Sequence, residues 1–389
     1  MISLHRYAKV FAQPDLRRTF AISVLGRLPI GVTGLAILLL VQTTTDSFVR
    51  GGAAAACYVV GLALIAPILG RVIDRYGPRR ILVATGLLFP SALVALVAAV
   101  ETNATLPVLV LAGAAGATFP PITVCVRTYF RRRVAEEGLL AAAYSAESVL
   151  IELIFILGPM LVAGFVAFAS AAAAVWFAAA CGLSGTLLFL RSPALRTWHV
   201  EPRTTRSLLG PLSEPGFATL VTVVLCFSSA FGFLEVGIVA YAAEAGDAAL
   251  AGILLGITSA GSALGGLAYG SRGWHYPLAR QFAIALALMA LGLGVLALQW
   301  QPWLFAPWAA LAGIAMAPAL IIQSMLAARI SRAEHTTEAF TWVTSALLAG
   351  VGIGLAAGGA LLELWPSSAA FAAGAGAAFV AALIALLML

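Results

Sequence analysis

The chain has 389 residues, of which 62% are hydrophobic and 10% charged, and its mean hydropathy is +1.03. A soluble protein carries about 25% charged residues, so this composition leaves too little polar surface to face water on every side and excludes a soluble globular fold. The formal charge of +6 and a pI near 9.5 raise nucleic acid as a partner, a reading that the placement of the charges removes.

Apolar runs divided by charged or proline-containing breaks predict twelve helices, near 19–42, 51–70, 80–99, 106–127, 138–165, 168–190, 216–242, 248–271, 279–298, 303–327, 338–362 and 367–388. Most reach the roughly 20 residues that cross a bilayer's hydrocarbon core. The first run contains Pro29 and shows no small-residue cleavage site before Gln42, so it is expected to be a retained span and not a removed signal. The weakest division falls at Phe165 to Ser170, between the fifth and sixth runs. Cys57, Cys125, Cys181 and Cys226 stand singly in different runs, without metal-ligand spacing, and are expected to be small buried packers.

Arginine and lysine sort by alternate loops. One side of the membrane receives Arg6, Lys9, Arg17 and Arg18, then the segment GRVIDRYGPRR (Gly70 to Arg80), then Arg127, Arg131, Arg132 and Arg133. Arg191, Arg196, Arg203 and Arg206, then Arg272 and Arg280, then Arg329 and Arg332 continue the bias. The intervening loops hold Arg50 beside acids such as Asp46, Glu101, Glu244 and Asp247. The positive-inside rule then puts both termini in the cytoplasm. Because topology already accounts for these charges, no nucleic-acid partner is expected. Trp300, Trp303 and Trp365 fall near the outer span ends, as in an interfacial aromatic belt.

Charges inside spans are costly unless paired or wet, which makes them site candidates. Arg27 lies about 13 Å along the first run and Glu152 about 20 Å along the fifth, both near mid-membrane. Ser145, Ser148 and Glu152 share one helical face at spacings of three and four. Glu147 is on another face, meeting another helix or the headgroups. Glu152 reads either as a protonatable cavity group or as an ion-pair partner of Arg27. Glu235 is its candidate counterpart in the second half, and Glu244 belongs to the outer loop. Arg27 reads either as an anchor for a substrate's negative group, through its fixed fork of donors, or as the neutralising partner of Glu152. Thr123, Gln323 and Ser324 add polar lining or helix-to-helix hydrogen bonds.

A shift of about 200 residues lays Gly70-Arg71 over Gly270-Ser271 and Arg80 over Arg280, so GRVIDRYGPRR has a weakened copy, GSRGWHYPLAR, that lacks the Asp. Asp46 and Asp247 match within a residue of the same shift. Residues 191–215 are polar and rich in proline and glycine and read as a cytoplasmic linker. The expected organisation is an all-α membrane protein with a six-helix bundle over 1–190, this linker, and a second six-helix bundle over 216–389. The bundles would be related by a pseudo-two-fold axis along the membrane normal, with substrate between them.

Gly70, Asp74, Arg75, Gly77, Arg79 and Arg80, together with the twelve-span plan, resemble the signature of the major facilitator superfamily between its second and third helices. Pro78 departs from the usual pattern. ILGPMLVAG, Ile156 to Gly164, resembles the Gly-Pro segment of antiporter-type members, with Ile154 where an upstream Gly is often found. Ala112 occupies the place where many proton-coupled members carry an Arg. The resemblance implies that helices one, four, seven and ten face the cavity, which favours Arg27, Glu235 and Gln323. It also implies that Asp74 and its arginines latch the two halves on the cytoplasmic side, and that the protein is a monomer in a bacterial inner membrane.

The expected function is secondary transport of a small molecule by alternating access, as proton-coupled export. The alternatives are uptake of a small organic anion held by Arg27, or a membrane ligand sensor that moves no substrate. No GxxxxGK[ST] signature is present, and His5, His199, His275 and His335 are all expected in cytoplasmic segments. Neither an enzyme, nor a cofactor, nor a metal is expected. In GVGIGLAAGG, Gly350, Gly354 and Gly358 recur on one face, as do Gly261 and Gly265. They read as close helix packing, forming smooth surfaces on which the halves would rock.

Overall fold

The computed structural model describes residues 5–45, 48–102, 104–200, 210–246, 249–298 and 301–389. Asp46, Arg203, Arg206, Asp247 and Trp300 lie outside the described residues. Among the described residues, twelve helical spans long and apolar enough to cross a membrane follow one another, preceded by a short helix α1 (His5–Ala12).

Three spans are broken near their middles, and proline accounts for each break, because it has no N–H to donate and its ring displaces the carbonyl four residues earlier. The first span is α2 (Pro14–Arg27) and α3 (Pro29–Thr45), interrupted at Leu28. α4 (Phe48–Tyr76) and α5 (Pro78–Glu101) follow unbroken. The fourth span is α6 (Thr105–Ala117) and α7 (Ile122–Arg133), separated by Pro120 and Pro121. α8 (Glu137–Phe168) and α9 (Ala171–Phe189) are divided where the weakest boundary was expected. Ser170 makes the break there, because its side chain accepts the Ala173 N–H and caps α9.

A four-residue α10 (Pro193–Arg196) lies between α9 and α11 (Phe217–Glu244). Then come α12 (Ala249–Ser271) and α13 (Leu278–Leu296). The tenth span is α14 (Pro302–Gly313) and α15 (Met316–Ile330), broken four residues before Pro318. α16 (Thr336–Leu362) and α17 (Ser367–Met388) complete the chain.

The first six spans pack on one another through α3 with α4, α8 and α9, and through α6 with α4 and α5; the last six pack through α11 with α16 and α17, and α13 with α17. The two groups meet where α4 lies on α16 and α8 on α12, with α7 reaching α16 and α8 reaching α15. The half-helices on the side away from the termini, α3, α6 and α14, pack chiefly within their own group. The halves are therefore joined on the terminus side.

Two expectations change. The fourth span runs on to Arg133, so Arg127, Arg131, Arg132 and Arg133 sit on helix α7 and not in a loop. The glycine faces do not lie between the halves. Gly350, Gly354 and Gly358 press on α11 at Leu225, Ser229 and Val236, and Gly261 and Gly265 press on the α14 side at Ala310 and Ile314, leaving no room for a Cβ. They tighten the second group internally. Gly158, of the Gly-Pro segment, has the same use in the first group, against the Gly31 backbone of α3.

Candidate functional site: a buried charge cluster and the contacts between the halves

Arg27 is the last residue of α2, at the break of the first span, and is fully buried. Its Nη2 lies 3.6 Å from Glu147 Oε1 of α8. Arg127 of α7 donates its Nε to both Glu147 oxygens, at 3.0 and 2.9 Å. Two guanidiniums thus share one carboxylate, which joins α2, α7 and α8, and the cluster keeps one surplus positive charge. Arg27 Nε, Nη1 and Nη2 make no hydrogen bond among the described residues.

The pairing of Arg27 with Glu152, one of the two readings open from the sequence, is therefore replaced by pairing with Glu147. Glu147 stands five residues nearer the terminus side, and it is to that side that α2 delivers Arg27. Arg127 was missed because the loop charges were assigned to topology; its place within the apolar stretch ITVCVRTYF was the available signal.

Glu152 is half-buried and crosses between the halves, accepting a hydrogen bond from Ser262 Oγ of α12 at 2.8 Å. Ser145, two turns earlier on the same face, also reaches α12, donating to the Gly266 carbonyl at 2.6 Å. The polar face read from spacing is thus the face α8 turns to the opposite half. Glu235 of α11 is exposed and makes no ion pair or hydrogen bond among the described residues. Thr123 Oγ1 on α7 and Gln323 Oε1 on α15 are buried without a partner there, a situation that costs about 1–3 kcal/mol per group until one is met. Ser324 bonds back to the Leu320 carbonyl of its own helix. Glu244, expected in a loop, ends α11 and caps α17, accepting from the Ser367 N–H and hydroxyl.

The stretch from Gly70 to Arg80 meets the start of α16. Asp74 is buried, and its carboxylate accepts the N–H groups of Thr337 at 3.1 Å and Glu338 at 2.8 Å. These are orphan donors of a helix N-terminus, where the helix dipole also favours a negative charge. Arg71 donates to Glu338 Oε1 at 2.6 and 3.0 Å. Gly70 allows the approach, since a Cβ there would strike Thr341 and Glu338. Gly77 turns the chain into α5 at φ +82, a backbone region that favours glycine. Arg75, Arg79 and Arg80 are exposed, Arg75 lying over the Tyr76 ring. The arginine brought to the opposite half is therefore Arg71, which the resemblance had not singled out.

The fold and these contacts can be set beside known proteins. Residues 19–271, well over half of the chain, match the family model described as Major Facilitator Superfamily. No curated protein matches the sequence. Among solved structures, a bacterial homologue of the iron transporter ferroportin, in an outward-facing state, is similar with a TM-score of 0.80 at 12% identity, over 95% of this chain and 98% of that one. The human organic anion transporter MFSD10 gives 0.73 at 15%, over 95% and 99%. The Escherichia coli fucose:proton symporter FucP gives 0.69 at 12%, over 94% and 97%. At these identities the likeness is one of fold. With twelve spans, interlocked halves and a family match over most of its length, the chain belongs to the Major Facilitator Superfamily and is a multi-pass membrane transporter, not an enzyme.

Proposed function

We propose that this transporter exports a small molecule in exchange for protons, as a monomer of two six-span bundles, 1–190 and 216–389, joined by a linker at 191–215. Its termini are then cytoplasmic, in a bacterial inner membrane, with lipid around the spans. The observation that carries the reading is the hydrogen bond from Ser262 to Glu152. Glu147 is held by two arginines and serves as a permanent counter-ion. Glu152 has no cation within ion-pairing distance among the described residues and sits on the surface that must part when the cytoplasmic side opens.

A carboxylate in a dry interface is costly, and protonation removes the charge. Water entering as the bundles part favours the ionised form again. Proton binding and bundle position therefore bias one another by equal amounts. Glu235, exposed on α11 of the other bundle, is a second carboxyl for the same cycle, and Thr123 and Gln323 offer polar atoms to a substrate.

Counterflow in proteoliposomes, with and without a pH gradient, tests this. Glu152→Gln and Glu235→Gln are expected to keep substrate exchange and to lose acceleration by the gradient. An intact cycle without proton dependence in the parent protein would overturn the antiport reading.

One observation favours a second reading, uptake of a small organic anion. The Arg27, Arg127 and Glu147 cluster retains a positive charge, and the Arg27 nitrogens have hydrogen-bonding capacity to spare. Arg27→Lys would then raise KM for the anion while leaving proton dependence unchanged.

A further inference from the structure

The repeat relation makes a contact in one half predict a contact in the other, and one such place is filled by a segment from outside the repeat. Ser345 of α16 donates to the Ala63 carbonyl of α4 at 2.6 Å, and Ser145 of α8 donates to the Gly266 carbonyl of α12, also at 2.6 Å. The two serines are 200 residues apart in number, as are Gly70 and Gly270, the glycines that bring each pair of helices together. At the first interface the space beyond the glycine holds Asp74, bonded to Thr337 and Glu338. At the second, position 274 is Trp, which stacks on Tyr269, so the position equivalent to Asp74 offers no carboxylate to the start of α8.

What stands there instead is α1. Tyr7 is buried, and its hydroxyl donates to the Leu267 carbonyl at 2.9 Å, with Ser145 Oγ, whose own proton goes to Gly266, packed 2.7 Å away. A Cβ on Gly270 would strike both Tyr7 and Ser145. Arg6 donates to the Arg272 carbonyl at the end of α12. Its guanidinium lies over Gly138, the position equivalent to Glu338. A helix that leads into the first bundle is thus fastened to α12 of the second.

We propose that α1 is a detachable strap, with Tyr7 as its gating residue, which supplies the second interface with the closure that Asp74 supplies to the first. The inference rests on the alternating-access reading, in which α8 and α12 separate when the terminus side opens. Tyr7 must then give up Leu267 and Ser145 in every cycle. Tyr7 acts by positioning and does not touch substrate.

Hydrogen–deuterium exchange of the full-length protein in nanodiscs tests the strap, read at the peptide spanning Glu334 to Thr341. The Thr337 and Glu338 amides in that peptide are covered by Asp74 at the other interface, so they exchange when the halves part. Tyr7→Phe, which keeps the ring, and Ser145→Ala are each expected to speed exchange of this remote peptide about fivefold, the worth of one net hydrogen bond. Lys9→Gln, on the exposed face of α1, is expected to leave it unchanged. Faster exchange confined to α1 in Tyr7→Phe would make α1 a local anchor and overturn the proposal, as would no change at all. Transport is scored separately by proton-gradient-driven flux. Normal flux with an unmoved remote peptide sinks the strap alone, whereas a moved peptide in a protein whose flux the proton gradient does not drive sinks the proton-coupled reading and leaves the strap.

Discussion

The two interfaces between the halves share a backbone plan and differ in what fastens them. Where α4 meets α16 the fastening is ionic, with Asp74 on two helix-end amides and Arg71 on Glu338. Where α8 meets α12 it is largely neutral, with serine and tyrosine hydroxyls on carbonyls and Ser262 on Glu152, beside the Arg6 guanidinium of α1 on the Arg272 carbonyl. Hydrogen bonds to charged groups contribute about 1.5–3 kcal/mol and neutral ones about 0.5–1.5, so the first interface is expected to hold the closed state and the second to set how readily it releases. A duplicated frame can divide these tasks because each interface needs the glycine and the serine for close approach, while the charge is needed once.

The largest expected effect tests whether the first half moves as one body. Glu147→Ala would strand the buried Arg27 guanidinium and the partly buried one of Arg127, and breaking a buried ion pair by removing one partner costs about 3–5 kcal/mol. A large fall in the thermal unfolding midpoint in detergent is expected, and an unchanged midpoint would mean that α2, α7 and α8 are not held by this cluster. Next comes Asp74→Asn, which discards the charge on the α16 amides and is expected to raise the ratio of open to closed forms about tenfold or more. Cysteine accessibility on the terminus side reports that ratio, and no increase would remove the distinction between ionic and neutral fastenings.

Arg71→Gln is expected to act in the same direction with a smaller shift, about threefold, because its side chain is partly solvated and such pairs are screened. Its remaining effect should fade in high salt, whereas that of Asp74→Asn should persist. Smallest of all, Arg79→Gln and Arg80→Gln are exposed and are expected to leave accessibility and flux within experimental error. A marked change in either would give these side chains a task beyond topology.

Much of the frame was legible because membrane physics acts on local sequence. Twelve apolar runs, the division at Ser170 and the match of Gly70 with Gly270 needed no knowledge of distant contacts. Partners were less legible. Arg27 and Glu152 were both placed near mid-membrane, yet five residues along α8 turn the helix by well over a full turn, and Arg27 meets Glu147 instead. Arg127 was hidden by its proximity to three further arginines that read as a loop. Arg71 and Arg75 are equally basic in the sequence, and only the direction in which α4 turns them separates one that reaches Glu338 from one that lies over Tyr76.

The sequence by itself determined that the chain crosses a membrane twelve times, that its basic loops fall on one side, and that its two halves repeat. These follow from the transfer cost of side chains and from self-similarity, both of which are properties of the chain. The tertiary structure decided which charges are neutralised, which glycines serve packing within a half, and that α1 reaches the second half. Those outcomes depend on helix rotation and on approach between different helices, some neighbouring and some more than a hundred residues apart, which no local pattern encodes.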